Sequence, residues 1–205
     1  MYKLTVPIED DEIRALKVGD SILLNGVILT GRDAVHKWLL DTFVIKTREA
    51  TPSDVQVFQQ VKALLMKGVI YHCGPIVSND DNQYRFVAAG PTTSIREEPY
   101  QADVMKLLNI KAVIGKGGMG EKTLAACKEV PAVYLHAVGG AAAVIAKAVK
   151  KVLAVHKLEF GIPEAIWVIE VEDFPAVVTM DAHGNSLHAD VEARSKEVLG
   201  RLLTL

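Results

Sequence analysis

The sequence contains few of the features that mark secreted, membrane-spanning or nucleic-acid-binding proteins. Two cysteines in 205 residues exclude a disulfide framework and are typical of a reducing, cytoplasmic setting. The longest apolar runs, such as residues 141–146, are far too short to cross a bilayer, and the N-terminus has no signal-peptide core. A net charge of −2 gives no basic surface for nucleic acid. The sequence therefore predicts a cytoplasmic protein without nucleic-acid or membrane partners.

The order of the predicted elements favours an α/β fold. From residue 54 onward, strand-like apolar runs alternate with helical segments, which is typical of a sheet with flanking helices. The first 30 residues are richer in strand patterns, and Asn25-Gly26 divides the apolar run Ile22–Leu29 as a hairpin turn would. We therefore expect a small β layer at the N-terminus beside the main sheet, within a single domain over residues 1–205.

Turn residues and apolar spacing predict several individual elements. One helix is expected to begin with Ser53 or Asp54 as its cap, and another to span Glu121–Glu129. An alanine-rich helix is expected from residue 139 to about residue 156. Strands are expected at residues 166–171 and 177–180.

The most informative segment is the glycine-rich stretch Gly115–Gly120, between a predicted strand and a predicted helix. Backbone N–H groups in such a turn can approach an anion, and Lys116 adds a positive charge. The stretch also matches the dinucleotide motif G-x-G-x-x-G, but the acid expected about 20 positions later is missing. It is not a Walker P-loop, because no Ser or Thr follows the lysine. A plain turn with a solvated lysine needs fewer glycines, so an anion site is the better interpretation.

Two further segments place a cation beside glycine and hydroxyl groups. Thr30–Asp33 contains Arg32, and Gly90–Arg96 contains three successive hydroxyl residues before its arginine. An arginine presents a planar fork that can hold a carboxylate through two hydrogen bonds. We interpret the three segments as one anion site assembled from loops.

The same residues also allow purely structural interpretations. Arg32 could pair with Asp33 or another neighbour, and Thr93 or Ser94 could cap the helix that follows. His36 lies one turn after Arg32 on a predicted helix, so it is either a candidate general base or a brace for that loop.

Four motifs together resemble those of one enzyme family. They occur in the family's order over nearly the whole chain: Gly31-Arg32-Asp33-Ala34-x-His36, Gly74-Pro75, Gly90-Pro91-Thr92-Thr93-Ser94-x-Arg96 and Gly115-Lys116-Gly117-Gly118-Met119. The sequence is similar to the β subunit of class I fumarate hydratase, to L-tartrate dehydratase and to the C-terminal half of single-chain class I fumarases. The resemblance implies a swivelling β/β/α domain.

The resemblance also implies a cofactor and a partner. The family consists of hydro-lyases whose 4Fe-4S cluster is held by cysteines of a separate α subunit. Cys73 and Cys127 are too few and too scattered to hold a cluster or a zinc ion, so we expect no metal site in this chain. The chain would then be half of an enzyme, in paired αβ units.

The implied reaction is the reversible hydration of fumarate to L-malate. The alternatives are an L-tartrate dehydratase β subunit, a free-standing module that binds a small anion, and a subunit that only covers its partner's cluster. Carried over to this sequence, the family's catalytic residues fall on Thr92 and Lys116. The substrate-binding residues are Arg32, Arg96, Lys116 and Gly117, and we assign supporting positions to Asp33, His36 and Thr93.

Overall fold

The computed structural model describes residues 1–81 and 83–203, which fold around one mixed β-sheet of seven strands. The strands are β1 (Tyr2–Thr5), β2 (Ser21–Thr30), β3 (Val69–Tyr71), β4 (Ile76–Asp80), β5 (Gln83–Ala88), β6 (Ala112–Gly115), β7 (Val133–His136), β8 (Val149–His156) and β9 (Ile166–Met180). The α-helices are α1 (Asp10–Ala15), α2 (Asp33–Leu39), α3 (Pro52–Leu65), α4 (Glu98–Leu108), α5 (Glu121–Glu129), α6 (Ala142–Ala146) and α7 (Leu187–Leu203). A π-helical turn (Leu40–Val44) follows α2, and 3-10 turns lie at Ser94–Glu97 and Leu158–Phe160.

The main sheet has the strand order β1-β2-β3-β6-β7-β9-β8, and the first five of these strands run parallel. The long strand β9 runs antiparallel to β7 and β8 and pairs with β2 as well. Because β9 contacts both ends of the run β2-β3-β6-β7, these strands close on themselves like a small barrel. The mixed α/β class with flanking helices is confirmed.

Two hydrophobic clusters cover the two faces of the sheet. In β3, Val69 and Tyr71 belong to the first cluster and Ile70 to the second, as the alternation of side chains along a strand requires. The first cluster packs α1, α6 and the small sheet against the strands, and the second packs α2 to α5. Strands buried on both faces are apolar at every position, which is why β3 stands out in the sequence.

The N-terminal strands do not form a separate β layer, and that prediction is wrong. β1 and β2 are parallel neighbours within the main sheet, and the small second sheet consists of β4 and β5. The predicted hairpin at Asn25-Gly26 is also wrong, because β2 continues through it. Its register against β9 shifts between Leu24 and Gly26, and Gly26 has a φ of +107°. This is a β-bulge, where a side chain would come within 3.0 Å of the carbonyl oxygen of Val6.

Residues 139–156 form a short helix and a strand, where the sequence predicted one alanine-rich helix. Val149, Val152 and Val155 all pack on the first cluster, and their spacing of three imitates a helix. The spacing arises because the register of β8 against β9 shifts twice, at Val149/Lys151 and at Val152/Ala154. The two strands predicted at residues 166–180 are a single strand, β9.

The helix predictions are partly confirmed. α5 has the predicted bounds, whereas α3 begins after Thr51, which is the true cap in place of Ser53 or Asp54. Thr51 Oγ1 accepts the N–H of Asp54 at 3.1 Å, and the Asp54 carboxylate accepts the N–H of Thr51 at 3.0 Å, as in a capping box. α7 is the longest described helix and has no buried residue. Within residues 1–81 and 83–203, every helix is too short or too polar to span a membrane.

Candidate functional site

The loops that carry the predicted cations leave neighbouring parallel strands at one edge of the sheet. Arg32 follows β2, residues 72–75 follow β3, and Lys116 follows β6. A backbone bond aligns two of these loops, since the N–H of His72 donates to the carbonyl of Ile114 at 2.8 Å. The carboxyl edge of parallel strands is where α/β sheets usually bind ligands, so the location favours a binding site.

The Gly90–Arg96 segment lies beside Lys116 through two backbone hydrogen bonds. The N–H of Lys116 donates to the carbonyl of Thr92 at 3.1 Å, and the N–H of Ser94 donates to the carbonyl of Lys116 at 3.0 Å. Thr93 therefore sits opposite Lys116 in a parallel bridge. The structure thus brings together the threonines and the lysine that the sequence selected from distant motifs.

Asp33 connects the first cationic loop to the second. Its Oδ2 lies 3.5 Å from Nη2 of Arg96, and the two side chains are 43% and 47% exposed. An ion pair at this exposure contributes about 0–1 kcal/mol. An incoming carboxylate can therefore replace Asp33 on Arg96 at little cost.

Arg32 is held by Glu164, an acid that the sequence analysis did not select. Nε of Arg32 lies 3.1 Å from Oε1 of Glu164, and its Nη1 donates to the carbonyl of Pro163 at 3.4 Å. Oε2 of Glu164 accepts the N–H of Ala34 at 3.1 Å, at the beginning of α2. A Cβ at Gly74 would lie 2.4 Å from Nη1 of Arg32, so this glycine leaves room for the guanidinium. Arg32 thus forms an ion pair, but its partner is far away in the sequence and is neither Asp33 nor another neighbour, as the structural interpretation expected.

The N-terminus of α5 already binds a negative group of this chain. The carboxylate of Glu98 accepts the N–H groups of Gly120, Lys122 and Thr123 at 2.8, 3.0 and 3.2 Å. The helix end that the glycine-rich loop offered to an anion is therefore occupied by Glu98. Gly117 is exposed, and its φ of +82° favours glycine.

Two buried polar side chains at the site make no hydrogen bond to any residue of the described part of the chain. One is the hydroxyl of Thr92, and the other is the carboxyl of Glu97, which has 0% exposure. Burial raises the pKa of Glu97 to about 7, and the negative charge of Asp33 acts in the same direction. Glu97 is therefore partly protonated near neutral pH, although no sequence signal pointed to it.

His36 and His72 meet at one amide beneath the loops. Nδ1 of His36 lies 2.9 Å from the carbonyl oxygen of Arg32, which is the bracing contact that the sequence allowed. Nε2 of His36 and Nε2 of His72 lie 2.9 Å and 2.8 Å from Oε1 of Gln101. Burial lowers the pKa of His36 and lowers that of His72 well below its ordinary value, so both rings are neutral at pH 7.

The buried chain continues from His72 to Ser94 and Tyr134. Nδ1 of His72 lies 2.8 Å from Oγ of Ser94, and the hydroxyl of Tyr134 donates to the same Oγ at 2.9 Å. Ser94 is therefore not a helix cap, because its hydroxyl faces the core. Thr93 occupies the cap position but makes no side-chain cap bond. The capping interpretation of these two residues is wrong.

The cysteines of this chain do not fit an iron–sulfur cluster. Cys73 and Cys127 are fully buried and belong to different hydrophobic clusters. Burial raises the pKa of each thiol to about 12, whereas a cluster ligand must be a thiolate. No group of three or more His, Cys, Asp or Glu side chains could hold a metal ion in the part of the chain that the structure describes.

Comparison with known proteins gives a consistent result. Residues 2–191 match the family model described as fumarase C-terminus. The chain is 53% identical over 199 residues to a putative class I fumarate hydratase of Geobacillus stearothermophilus, which covers 97% of this chain and 35% of that protein. It is 40% identical over 196 residues to a putative L(+)-tartrate dehydratase subunit beta of Methanocaldococcus jannaschii, covering 95% and 94% of the two chains.

A third relative is the L(+)-tartrate dehydratase subunit beta of Escherichia coli K12. It is 35% identical over 188 residues, which are 91% of this chain and 86% of the relative. The chain thus spans about a third of the Geobacillus protein but most of the length of the two proteins named as beta subunits.

Proposed function

Because this chain belongs to the fumarase C-terminus family, we propose that it is the β subunit of a class I fumarate hydratase. In this proposal it hydrates fumarate to L-malate, reversibly, together with an α subunit. The observation that carries the proposal is the junction of the cationic loops, with Thr92 beside Lys116 and Arg96 beside Asp33 and Arg32. A dianionic substrate needs such a cluster of cations on rigid backbone.

L-Tartrate dehydration is the second candidate activity. Two relatives named as tartrate dehydratase beta subunits align with this chain over 94% and 86% of their length. Fumarate is favoured because the relative with 53% identity is named as a fumarate hydratase. Both substrates carry two carboxylates, so the same cations would serve either.

The partner proposed for this chain is an α subunit that holds a 4Fe-4S cluster. Two relatives are named as beta subunits, and about two thirds of the Geobacillus protein lies outside the region matched here. The residues of this chain do not fit a cluster, so we derive no step through one. The proposal treats residues 1–205 as one swivelling domain of the complex, in paired αβ units. A cytoplasmic location is part of it, since both thiols are free.

In this proposal, three cationic side chains of this chain bind the substrate. Arg32 and Arg96 would each hold a carboxylate through the guanidinium fork, and Lys116 would offset the charge that builds up near Thr92 during proton transfer. Asp33 would neutralise Arg96 until substrate arrives, whereas Glu164 would hold Arg32 in position. Gly117 would let the backbone approach the substrate, since no other described residue beyond its chain neighbours comes within 4 Å of the place where its Cβ would be.

In this proposal, Thr92 is the residue that transfers the proton. Its hydroxyl is buried and has no hydrogen-bond partner among the described residues, so its hydrogen-bonding capacity is unused within this chain. A threonine hydroxyl is a weak base by itself. We propose that the positive charge of Lys116 stabilises the oxygen of Thr92 while it exchanges a proton with the substrate carbon.

The test is anaerobic turnover by the assembled complex. This chain is co-expressed with a cysteine-bearing α-subunit candidate from the same genome, and fumarate and tartrate are assayed separately. Lys116→Ala should lower turnover at least a hundredfold, about 3 kcal/mol, with normal complex yield. Lys122→Ala, which removes an exposed lysine on α5, is the matched control and should retain turnover.

The other outcomes separate the alternatives. Turnover of tartrate only would keep the site and change the substrate. Loss of complex yield without loss of turnover per complex in Lys116→Ala would indicate an assembly subunit. Tight binding of a dicarboxylate by this chain alone, with no complex and no turnover, would indicate a free-standing binding module.

A further inference from the structure

The buried chain of polar side chains contacts all three cationic loops. His36 contacts the carbonyl of Arg32 in the first loop, and Ser94 belongs to the second. The N–H of Ser94 also donates to the carbonyl of Lys116, which belongs to the third, at 3.0 Å. We define the polar network as His36, Gln101, His72, Ser94 and Tyr134.

The carbonyl of Arg32 fixes the proton on His36. A carbonyl oxygen only accepts hydrogen bonds, so Nδ1 of His36, at 2.9 Å, must carry a hydrogen. A neutral imidazole has a hydrogen on one nitrogen only, so Nε2 of His36 presents a lone pair to Gln101. That lone pair requires a donor, which only the NH2 end of the amide can provide.

The orientation of the Gln101 amide follows from that requirement. The oxygen and nitrogen of an amide have nearly the same shape, so the surrounding hydrogen bonds decide which end faces which group. With the oxygen toward the rings, the amide nitrogen has no partner among the described residues. With the NH2 toward the rings, its two hydrogens serve the Nε2 atoms of His36 and His72.

The proton positions then follow along the rest of the network. Because Nε2 of His72 accepts from Gln101, its Nδ1 carries the hydrogen and donates to Oγ of Ser94, which also accepts from Tyr134. A serine oxygen has two acceptor positions, so both bonds can form. Ser94 is tightly seated, since a Cβ at Gly115 would lie 1.8 Å from its Oγ.

We propose that the polar network is an uncharged positioning device for the three loops. In it, the Gln101 NH2 donates to two imidazoles that each carry their hydrogen on Nδ1. Gln101 and His72 are positioning residues, because they act on substrate only through Arg32 and the Thr92–Ser94 segment. The positioning role rests on the proposed function, whereas the proton positions do not. The positive charge of Arg96 helps to lower the pKa of His72, so the neutral ring adds no second positive charge beside this arginine.

Nitrogen NMR of the full chain, without partner or substrate, tests the proton positions. The chain has six histidines, and the signals of His36 and His72 are assigned by their loss in His36→Gln and His72→Gln. We expect both rings as the Nδ1–H form from pH 6 to pH 8. A proton on Nε2 of either ring would overturn the proposal, whatever activity the complex has.

Gln101→Glu sharpens this test. An ionised carboxylate cannot donate to either ring, so protons should move onto the Nε2 atoms, and the spectra of both histidines should change at pH 7. Unchanged spectra would mean that the wild-type amide presents its oxygen, against the proposal.

Kinetics of the αβ complex test the positioning role. Gln101→Met should raise KM and lower kcat, so that kcat/KM falls at least tenfold at unchanged complex yield. Thr42→Val is the control, since it removes another buried hydroxyl without a partner among the described residues. Unchanged KM and kcat in Gln101→Met would overturn positioning. Absence of turnover in the wild-type complex would refute the proposed function and leave the NMR result intact.

Discussion

The ammonium group of Lys157 lies 2.5 Å from Oδ1 of Asp54, and both residues are almost fully buried. Asp54 also accepts hydrogen bonds from Trp38 and Arg48, at 2.9 and 3.1 Å, and forms the capping box of α3 with Thr51. These bonds together outweigh burial and hold the pKa of Asp54 well below its ordinary value. One carboxylate thus joins the start of α3, the end of α2 and the loop after β8.

Replacing Lys157 should destabilise the protein strongly. Lys157→Met leaves the buried charge of Asp54 without its closest cation, and breaking such a pair costs about 3–5 kcal/mol. Urea unfolding at pH 7 measures the loss. Lys151→Met, which removes an exposed lysine from β8, is the control and should change the free energy of unfolding by less than about 0.5 kcal/mol. Equal effects of the two variants would contradict a structural role for the pair.

The same carboxylate should make the stability of the folded protein decrease at low pH. Because the folded-state pKa of Asp54 lies below the ordinary value of 3.8, its contribution to stability is fully present above that pH. The contribution is lost as the pH falls further and the folded carboxylate takes up a proton. Asp54→Asn should therefore reduce stability at pH 7 and shrink the loss of stability between pH 5 and pH 2.5. Urea unfolding across this range checks it, and parallel curves for variant and wild type would refute it.

Glu164 should matter for turnover although it lies outside every motif. Glu164→Ala removes the partner of Arg32 and the acceptor for the N–H of Ala34, so Arg32 loses its fixed position. We expect kcat/KM of the complex to fall at least tenfold in Glu164→Ala. It should fall less in Glu164→Gln, because the amide oxygen can still accept a hydrogen bond. Steady-state kinetics with both variants test this, with Glu159→Ala, an exposed acid that pairs with Lys157, as the control. Equal loss in all three variants would contradict the positioning of Arg32 by Glu164.

The parts of the fold that the sequence predicted are those set by short-range chemistry. α5 begins at the glycine-rich loop and has the predicted bounds, so local pattern determines it. The hairpin at Asn25-Gly26 failed because a bulge and a turn use the same residues. The alanine-rich helix failed because two register shifts gave β8 a helical spacing of valines, which only its pairing with β9 reveals.

The residues of the candidate site also divide into those that local sequence indicates and those that only the fold brings in. Arg32, Thr92 and Lys116 lie in motifs with glycine neighbours, so the sequence pointed to them. Glu164 could not be found in this way, because it is distant from Arg32 in the sequence and only the folded chain brings the two together. Gln101 lies outside every motif, and only the packing of α4 places its amide between two histidines.

Arginine geometry should be essential at the site. Arg32→Lys keeps the charge but loses the fork that can hold a carboxylate through two bonds. We expect KM for the dicarboxylate to rise at least tenfold, with complex yield unchanged. Arg85→Lys makes the same exchange on the exposed strand β5 and should leave KM unaltered. If Arg32→Lys kept the wild-type KM, Arg32 would not bind substrate through its fork.

Glu97 should make the protein less stable as the pH rises. Burial raises the pKa of Glu97 from 4.5 to about 7, so the folded state keeps a proton that the unfolded state has already released. Stability therefore falls between pH 4.5 and pH 7 and stays lower above pH 7, by about 3 kcal/mol for a shift of this size.

Glu97→Gln isolates this contribution. A neutral amide in place of the carboxyl should leave stability nearly unchanged at pH 4.5 and raise it by up to about 3 kcal/mol at pH 8. Urea unfolding of both proteins at the two pH values gives the difference, and Glu49→Gln, which removes an exposed negative charge, is the control. A gain that is equal at both pH values would show that Glu97 does not hold its proton in the folded state. A gain confined to high pH would show that the folded state holds the proton of Glu97 that the unfolded state releases, as its raised pKa implies.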